Sequence, residues 1–400
     1  MSELCQQILK ELASEAADAL EKAIALSESL PRPGGDLDSQ TANCLHEIGF
    51  LAEKLGQYHL AESFYARVLD YDVPPSLRAG AHFRRGVSLN LAGELARSIE
   101  SHKAAVELAG AWPLVGRLAR FNLAGLLMAT GDHAAAELHY RFLNGDAVTD
   151  PLPRAELELR RAICLFRTGG GDSLETARSM AERYAVADPL AHAWLPQLLY
   201  DTALAAEIAG EYHLAEILYL RLCDRQDIDP NLTGGSCYRL GLCLEYQGRW
   251  LESMARYRTA IQIPHTWHEV RALARGQLAR LLMTAEEYDE AAGLWAELLR
   301  DPASRELPMT ASELAFKQAY CLFHAGQPEA AQRLLATLAG VPEAGPLQAD
   351  VDQLLANIFE SRKEYEPAVT CYTRILANAQ AGMPLKTAAL ARLSAIQKLV

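Results

Sequence analysis

What this chain lacks narrows it first. No stretch approaches the roughly 18 uncharged apolar residues of a membrane span. The first twenty residues carry Glu3, Lys10, Glu11, Glu15 and Asp18 without a continuous apolar run, so no secretory leader is expected. Positive charge is short: 38 Lys and Arg stand against 51 Asp and Glu, a formal net charge of −13. That argues against the basic stripe needed to displace counterions from nucleic acid and against a role on anionic membranes. Aromatics make up only 7%, and β-branched residues are sparse beside Ala and Leu, which favours helix. Eight cysteines are present but no C-x-x-C pair, and most fall in apolar slots of a helical pattern. Reduced, buried thiols in a cytoplasmic protein are the expectation. His46-Glu47 and His268-Glu269 lack the second His of a zinc-protease helix, and no phosphate loop, nucleophile elbow or dinucleotide fingerprint occurs. Cys237 and Cys243 stand six apart without paired histidines. No enzyme, metal site or cofactor is expected.

What is present is repetition. A small residue is followed twelve places later by another: Gly49 and Ala61, Gly86 and Ser98, Ala124 and Ala136, Ala203 and Ala215, Gly241 and Ser253, Ala279 and Ala291, Ala319 and Ala331, Ala356 and Ala368. A ninth pair, Ala162 and Ala177, is three residues wider. Between them sits Gly56, Gly93, Gly131, Gly169, Gly210, Gly248 or Gly326, with Glu286 and Lys363 in the two exceptions. Self-similarity at such a period marks stacked units that touch only their neighbours, so length alone does not imply several globular cores.

One unit shows how it works. Leu45, Ile48, Gly49 and Ala52 recur at helical spacing, predicting a helix over 42–55. Gly56 stands where a left-handed C-cap belongs. Tyr58, Ala61, Phe64, Tyr65, Val68 and Leu69 mark a second helix before Pro74-Pro75. A short turn makes the two antiparallel, and small residues at 49 and 61 let the backbones approach. Gly49, Gly56, Tyr58, Ala61, Tyr65 and Pro74 together resemble the tetratricopeptide repeat. The resemblance runs over about residues 41 to 380. The large residue of the Tyr65 slot recurs as Tyr140, Tyr219, Tyr257, Trp295, Leu335 and Tyr372, with His102 as a polar exception. The mid-turn residues are 37 to 41 apart rather than the standard 34, so each copy needs a longer helix or connection. The resemblance implies an all-α, right-handed α-solenoid superhelix of about nine helical hairpins.

Above the single unit, Tyr58-His59-Leu60-Ala61-Glu62 recurs 154 residues on at 212–216, Leu126-Leu127-Met128 recurs at 281–283, and Cys164-Leu165-Phe166 at 321–323. That reads as duplication of a four-repeat block. The expected organisation is a capping helix and linker over 1–40, repeats one to four over 41–190, repeats five to eight over 191–345, and a ninth repeat with a capping helix over 346–400. Residues 1–30 are expected to form one helix, ahead of the breaker run at Pro31 to Gly35. Gly169-Gly170-Gly171-Asp172 has no Gly-Lys-Ser/Thr after it and reads as a loop insertion rather than an anion cradle.

In the resembled family the first helix of each pair lines a concave face that holds peptides. Counting from the small anchor projects Phe83, Phe121, Tyr200, Tyr238 and Phe316 onto that face at minus three, and Arg84, Asn122, Arg160, Arg239 and Lys317 at minus two. Phe50, Arg280 and Tyr320 follow at plus one, and Asn90 at plus four. Rings with interleaved cations suit a protein or peptide partner carrying carboxylates. The expected function is a non-catalytic scaffold or adaptor, with no nucleic-acid or membrane partner and with self-association open. The second reading is a ligand- or peptide-sensing module whose pitch changes on binding.

Overall fold

The computed structural model describes residues 3–13, 18–34, 38–145, 153–186, 188, 192–338 and 347–397. Among these residues every regular element is a helix and there is no strand. The chain divides into two compact units, Met1–Tyr184 and Ala185–Val400.

The first unit contains α1 (Glu3–Leu12), α2 (Ala19–Ser27), α3 (Asp38–Lys54), α4 (Tyr58–Leu69), α5 (Pro75–Leu91), α6 (Leu95–Glu107), α7 (Pro113–Ala129), α8 (His133–Gly145), α9 (Arg154–Thr168) and α10 (Gly171–Tyr184). The second contains α11 (Leu195–Ile208), α12 (Tyr212–Cys223), α13 (Pro230–Tyr246), α14 (Trp250–Gln262), α15 (His268–Thr284), α16 (Tyr288–Arg300), a 3-10 turn (Pro302–Glu306), α17 (Ala311–His324), α18 (Pro328–Leu338), α19 (Gln348–Ser361), α20 (Tyr365–Ala377) and α21 (Met383–Ile396). Within each unit a helix packs mainly on its neighbours in sequence, so the nine pairs from α3/α4 to α19/α20 are the tandem hairpins the small-residue ladder announces. The long period lies partly in the first helices, which run seventeen residues in α3, α5, α7, α13 and α15. Among the described residues no helix is long and apolar enough to cross a membrane.

Each pair turns through a left-handed residue. All seven mid-turn glycines have positive φ, from 71° to 89°, and so do Glu286 at 61° and Lys363 at 62°. Eight of the nine turns close with the same two bonds. At the first, Gly56 N–H donates to Glu53 O at 3.0 Å and Gln57 N–H to Ala52 O at 2.9 Å; this is a Schellman cap. At Glu286 and Lys363 the identical bonds form without glycine, and the left-handed conformation costs a side-chain-bearing residue about 1–2 kcal/mol.

The seam between paired helices has two rungs. All nine small residues of the second helices are fully buried. Where the anchor is Gly and its partner Ser, the hydroxyl binds the anchor's carbonyl: Ser98 Oγ donates to Gly86 O at 2.7 Å and Ser253 Oγ to Gly241 O at 2.9 Å. The anchor glycines answer a second need that the small-to-small reading misses. A Cβ on Gly49 would lie 3.0 Å from the Tyr65 ring, on Gly86 2.8 Å from His102, and on Gly241 2.4 Å from Tyr257. These glycines are small because a ring of their own second helix lies flat on them.

The N-terminal segment departs from the sequence expectation. Residues 1–30 are not one helix; α1 and α2 are two, packed together and against α3. Cys5 and Ile8 of the first and Leu20 and Ala23 of the second are all buried in one cluster. Residues 14–17, between the two helices, lie outside the described residues. The C-terminal helix appears as α21. All eight cysteines are buried and none forms a disulfide, and burial pushes the Cys44 and Cys164 thiols up to about 12 and Cys321 up to about 11, which keeps these three protonated.

Candidate functional site

The projected residues lie on the first helices and are half-buried, except Asn90 and Arg280, which are exposed. The minus-three aromatics pack tilted or edge-on against rings of their own repeat's second helix. Phe83 lies 5.8 Å from His102, Phe121 6.1 Å from Tyr140, Tyr200 5.7 Å from Tyr219 and Tyr238 5.9 Å from Tyr257, centroid to centroid. Phe316 packs into the cluster of α17, α18 and α19, and Tyr320 against Tyr288 and His324. Each ring thus has one face in the seam and part of its surface outward.

The projected cations are engaged. Arg84 Nη1 donates to Glu53 Oε1 at 2.9 Å and lies 4.7 Å over the Phe50 ring. Arg239 Nη1 donates to Glu207 Oε1 at 3.1 Å. Arg280 donates to Glu245 and, at 2.9 Å, to Gln277. Lys317 Nζ stands 5.6 Å over Trp295. Arg160 Nε and Nη2 both bind Glu156 Oε1, at 2.9 and 2.8 Å, on its own helix, with the guanidinium 5.3 Å from the Phe121 ring.

Those carboxylates, which the sequence projection misses, belong to a recurring device. Tyr65 Oη donates to Glu53 at 3.1 Å, Tyr219 to Glu207 at 2.9 Å, Tyr257 to Glu245 at 2.5 Å and Tyr372 to Glu360 at 2.6 Å. Each Glu sits four residues after the anchor and twelve before its Tyr. It also accepts from an Arg of the next first helix: Arg84, Arg239, Arg280 and, on α21, Arg392. Every tyrosine of this set is buried, and burial and the facing Glu207 together hold the Tyr219 phenol far above the ordinary tyrosine range. A Glu twelve residues before a slot tyrosine is visible in the sequence and is the signal that could have found them. A second ladder uses the residue after the second helix's small position: Glu62 binds Arg85 and Arg97, Glu137 binds Arg161, and Glu216 binds Arg249. These bridges join consecutive repeats.

Four projected residues are brought together. Asn90, Phe121, Asn122 and Arg160 line one groove of about 420 Å³ on α5, α7 and α9. Tyr140 forms its floor, and Val87, Leu91, Leu95, Leu126 and Ala129 its apolar walls. Leu91 and Leu95 are 53% and 37% exposed. Burial pushes the Tyr140 phenol above its usual range, with Arg160 pulling the other way, so it stays a neutral donor. Phe50 and Arg84 form a separate contact in the same unit; Tyr200, Tyr238, Arg239, Arg280, Phe316, Lys317 and Tyr320 belong to the other unit. Among the described residues no group of three or more His, Cys, Asp or Glu is placed to hold a metal ion.

The geometry defines an all-α protein of tandem tetratricopeptide-like helical hairpins. No family model matches the chain, and no curated protein matches it in sequence. Among solved structures, a tetratricopeptide repeat protein from Parabacteroides merdae is 16% identical over 77% of this chain and 96% of its own, with a TM-score of 0.34. The apo form of the quorum sensor NprR from B. thuringiensis is 14% identical, covering 94% of this chain and 97% of its own at a TM-score of 0.44. The apo form of RapI is 10% identical, covering 95% and 99% at 0.39.

Proposed function

We propose that this chain is a non-catalytic binding module, an adaptor or scaffold that holds a peptide or a segment of a partner protein against its first-helix face. The observation that supports this reading most is the groove over α5, α7 and α9. It combines side-chain amides, a ring, a guanidinium and exposed leucines. Amides such as Asn90 and Asn122 can donate to and accept from a peptide backbone in the same place. Phe121 and the two leucines offer apolar area for side chains between those bonds. The bridges elsewhere on the face brace the array rather than recruit a partner, because Arg84, Arg239 and Arg280 already have internal carboxylates.

The test is selection of decapeptides on the immobilised full chain, followed by titration of the selected peptides. Replacing Asn90 and Asn122 together by Ala is expected to weaken them at least tenfold with the helical circular-dichroism signal unchanged. Unaltered affinity removes this groove from the binding surface; failure to select any peptide removes the peptide reading itself.

A further inference from the structure

The Tyr–Glu–Arg device occurs at congruent positions in the first and fifth repeats, as Tyr65–Glu53–Arg84 and Tyr219–Glu207–Arg239. The third repeat keeps two of its three parts. Tyr140 stands sixteen residues after the anchor Ala124, and Arg160 two before the next anchor. The place of the Glu, four after the anchor, is Met128. Tyr140 is fully buried, and its hydroxyl faces no hydrogen-bond acceptor; the polar group beside it is the Arg160 guanidinium. The neighbouring guanidinium does not remedy this, because Arg carries no acceptor, so the phenol's O–H has nothing to donate to. The hydroxyl lies against Gly125, where an added Cβ would stand 3.8 Å away, and Tyr140, Gly125 and Arg160 all line the groove. Glu156 takes Arg160 Nε and Nη2, and Nη1 stands outside that pair.

We propose that the carboxylate missing from the third repeat is brought by the ligand: an aliphatic carboxylate, as a peptide's Glu or Asp side chain or a free carboxylic acid, enters the groove and binds Tyr140 Oη and Arg160. It accepts the phenol's proton donor and a guanidinium N–H, as Glu53 and Glu207 do in their repeats. Its carbon chain lies along Leu91 and Leu95, whose exposed surface would otherwise face water. Glu156, one turn before Arg160, competes for the same cation and limits the affinity. The inference deepens the peptide-groove reading and rests on it only for the peptide as carrier; the chemistry of the pocket is independent of it.

The experiment uses the full chain with three probes: 4-methylpentanoate, the capped peptide acetyl-Ala-Leu-Glu-Leu-Ala-amide, and the same peptide with Gln for Glu. Titration calorimetry is expected to show the Glu peptide binding at least tenfold more tightly than the Gln peptide. Tyr140→Phe is expected to erase that preference with the helical circular-dichroism signal unchanged. Met128→Glu is expected to raise the melting temperature by completing the device internally, and to block the carboxylate. Glu156→Gln is expected to tighten binding several-fold. If 4-methylpentanoate alone binds, and Tyr140→Phe abolishes it, the carboxylate site stands and the peptide reading falls. Equal binding of the Glu and Gln peptides leaves the peptide groove standing and overturns the carboxylate site. A wild type that binds no carboxylate probe, or a Met128→Glu protein that melts lower while Tyr140→Phe changes no affinity, also overturns it.

Discussion

His102 stands where other repeats put a tyrosine, and its burial makes the second repeat acid-sensitive. The ring is 1% exposed, its Nδ1 has no hydrogen-bond partner, and burial pushes its pKa from the ordinary 6.5 down to about 4. The unfolded chain therefore takes up this proton at a higher pH than the folded chain does. The stability this residue contributes is complete above about pH 6.5, drains as the pH falls through the unfolded value, and is gone by the folded one. Working the two binding curves through gives a loss of about 2 kcal/mol at pH 5 relative to pH 8, and about 3 kcal/mol in full. His102→Tyr removes the titration while keeping a ring over Gly86, an arrangement the protein already uses at Gly49 with Tyr65 and Gly241 with Tyr257. Repeat arrays open locally, so the assay is hydrogen exchange of the segments 75–91 and 95–107 at pH 8 and pH 5, corrected for intrinsic rates. The wild type should lose about 2 kcal/mol more protection on acidification than the variant. An identical loss in both proteins refutes the reasoning, because the carboxylates that also titrate are common to the two.

Other perturbations read other parts of the scaffold. Tyr219→Phe deletes the 2.9 Å bond to the Glu207 carboxylate and should cost about 1.5–3 kcal/mol in urea unfolding; no change would mean the device is not structural. Glu286→Gly and Lys363→Gly relieve left-handed strain at turns with φ of 61° and 62°, so each should stabilise by about 1 kcal/mol, and a lower melting temperature would contradict that. Gly241→Ala puts a Cβ 2.4 Å from the Tyr257 ring and should cost about 1–3 kcal/mol; a thermally silent variant would show that the ring moves freely. Ala215→Leu, at a fully buried seam position, should cost a similar 1–3 kcal/mol, read by the same melt.

The parts of this fold that were legible in the sequence are the ones set by local geometry. Seven of the nine left-handed turns are announced by glycine and all nine by the spacing, and Glu286 and Lys363 adopt the same positive φ because the bonds closing the turn do not depend on the side chain. The partners of Arg84, Arg239 and Arg280 were illegible. They lie 31, 32 and 35 residues back, in the preceding repeat, and an offset counted within a repeat shows which way a side chain points but not what the neighbouring repeat places opposite it.

The spacing of twelve nevertheless held more than the small pairs taken from it. With the turn fixed, residues i and i+12 face each other across every hairpin of that spacing. Gly86 and Ser98 do so, and four residues later the same relation pairs Glu53 with Tyr65, Glu207 with Tyr219, and Met283 with the Trp295 indole at 3.4 Å. Followed along the chain, the first member of this second rung runs Glu53, Asn90, Met128, Phe166, and then Glu207, Glu245, Met283, Phe323. That order tracks one structural position through both proposed blocks of four and agrees at three of its four places, Asn90 against Glu245 being the mismatch. It also separates bracing from binding. Where the rung pairs Glu with Tyr, the next Arg is used up in holding two repeats together. Where Met128 stands in the Glu position, packed against the cluster that holds Tyr140, the phenol faces no internal acceptor and Arg160 turns to Glu156 on its own helix, which is the opening the proposed carboxylate would fill.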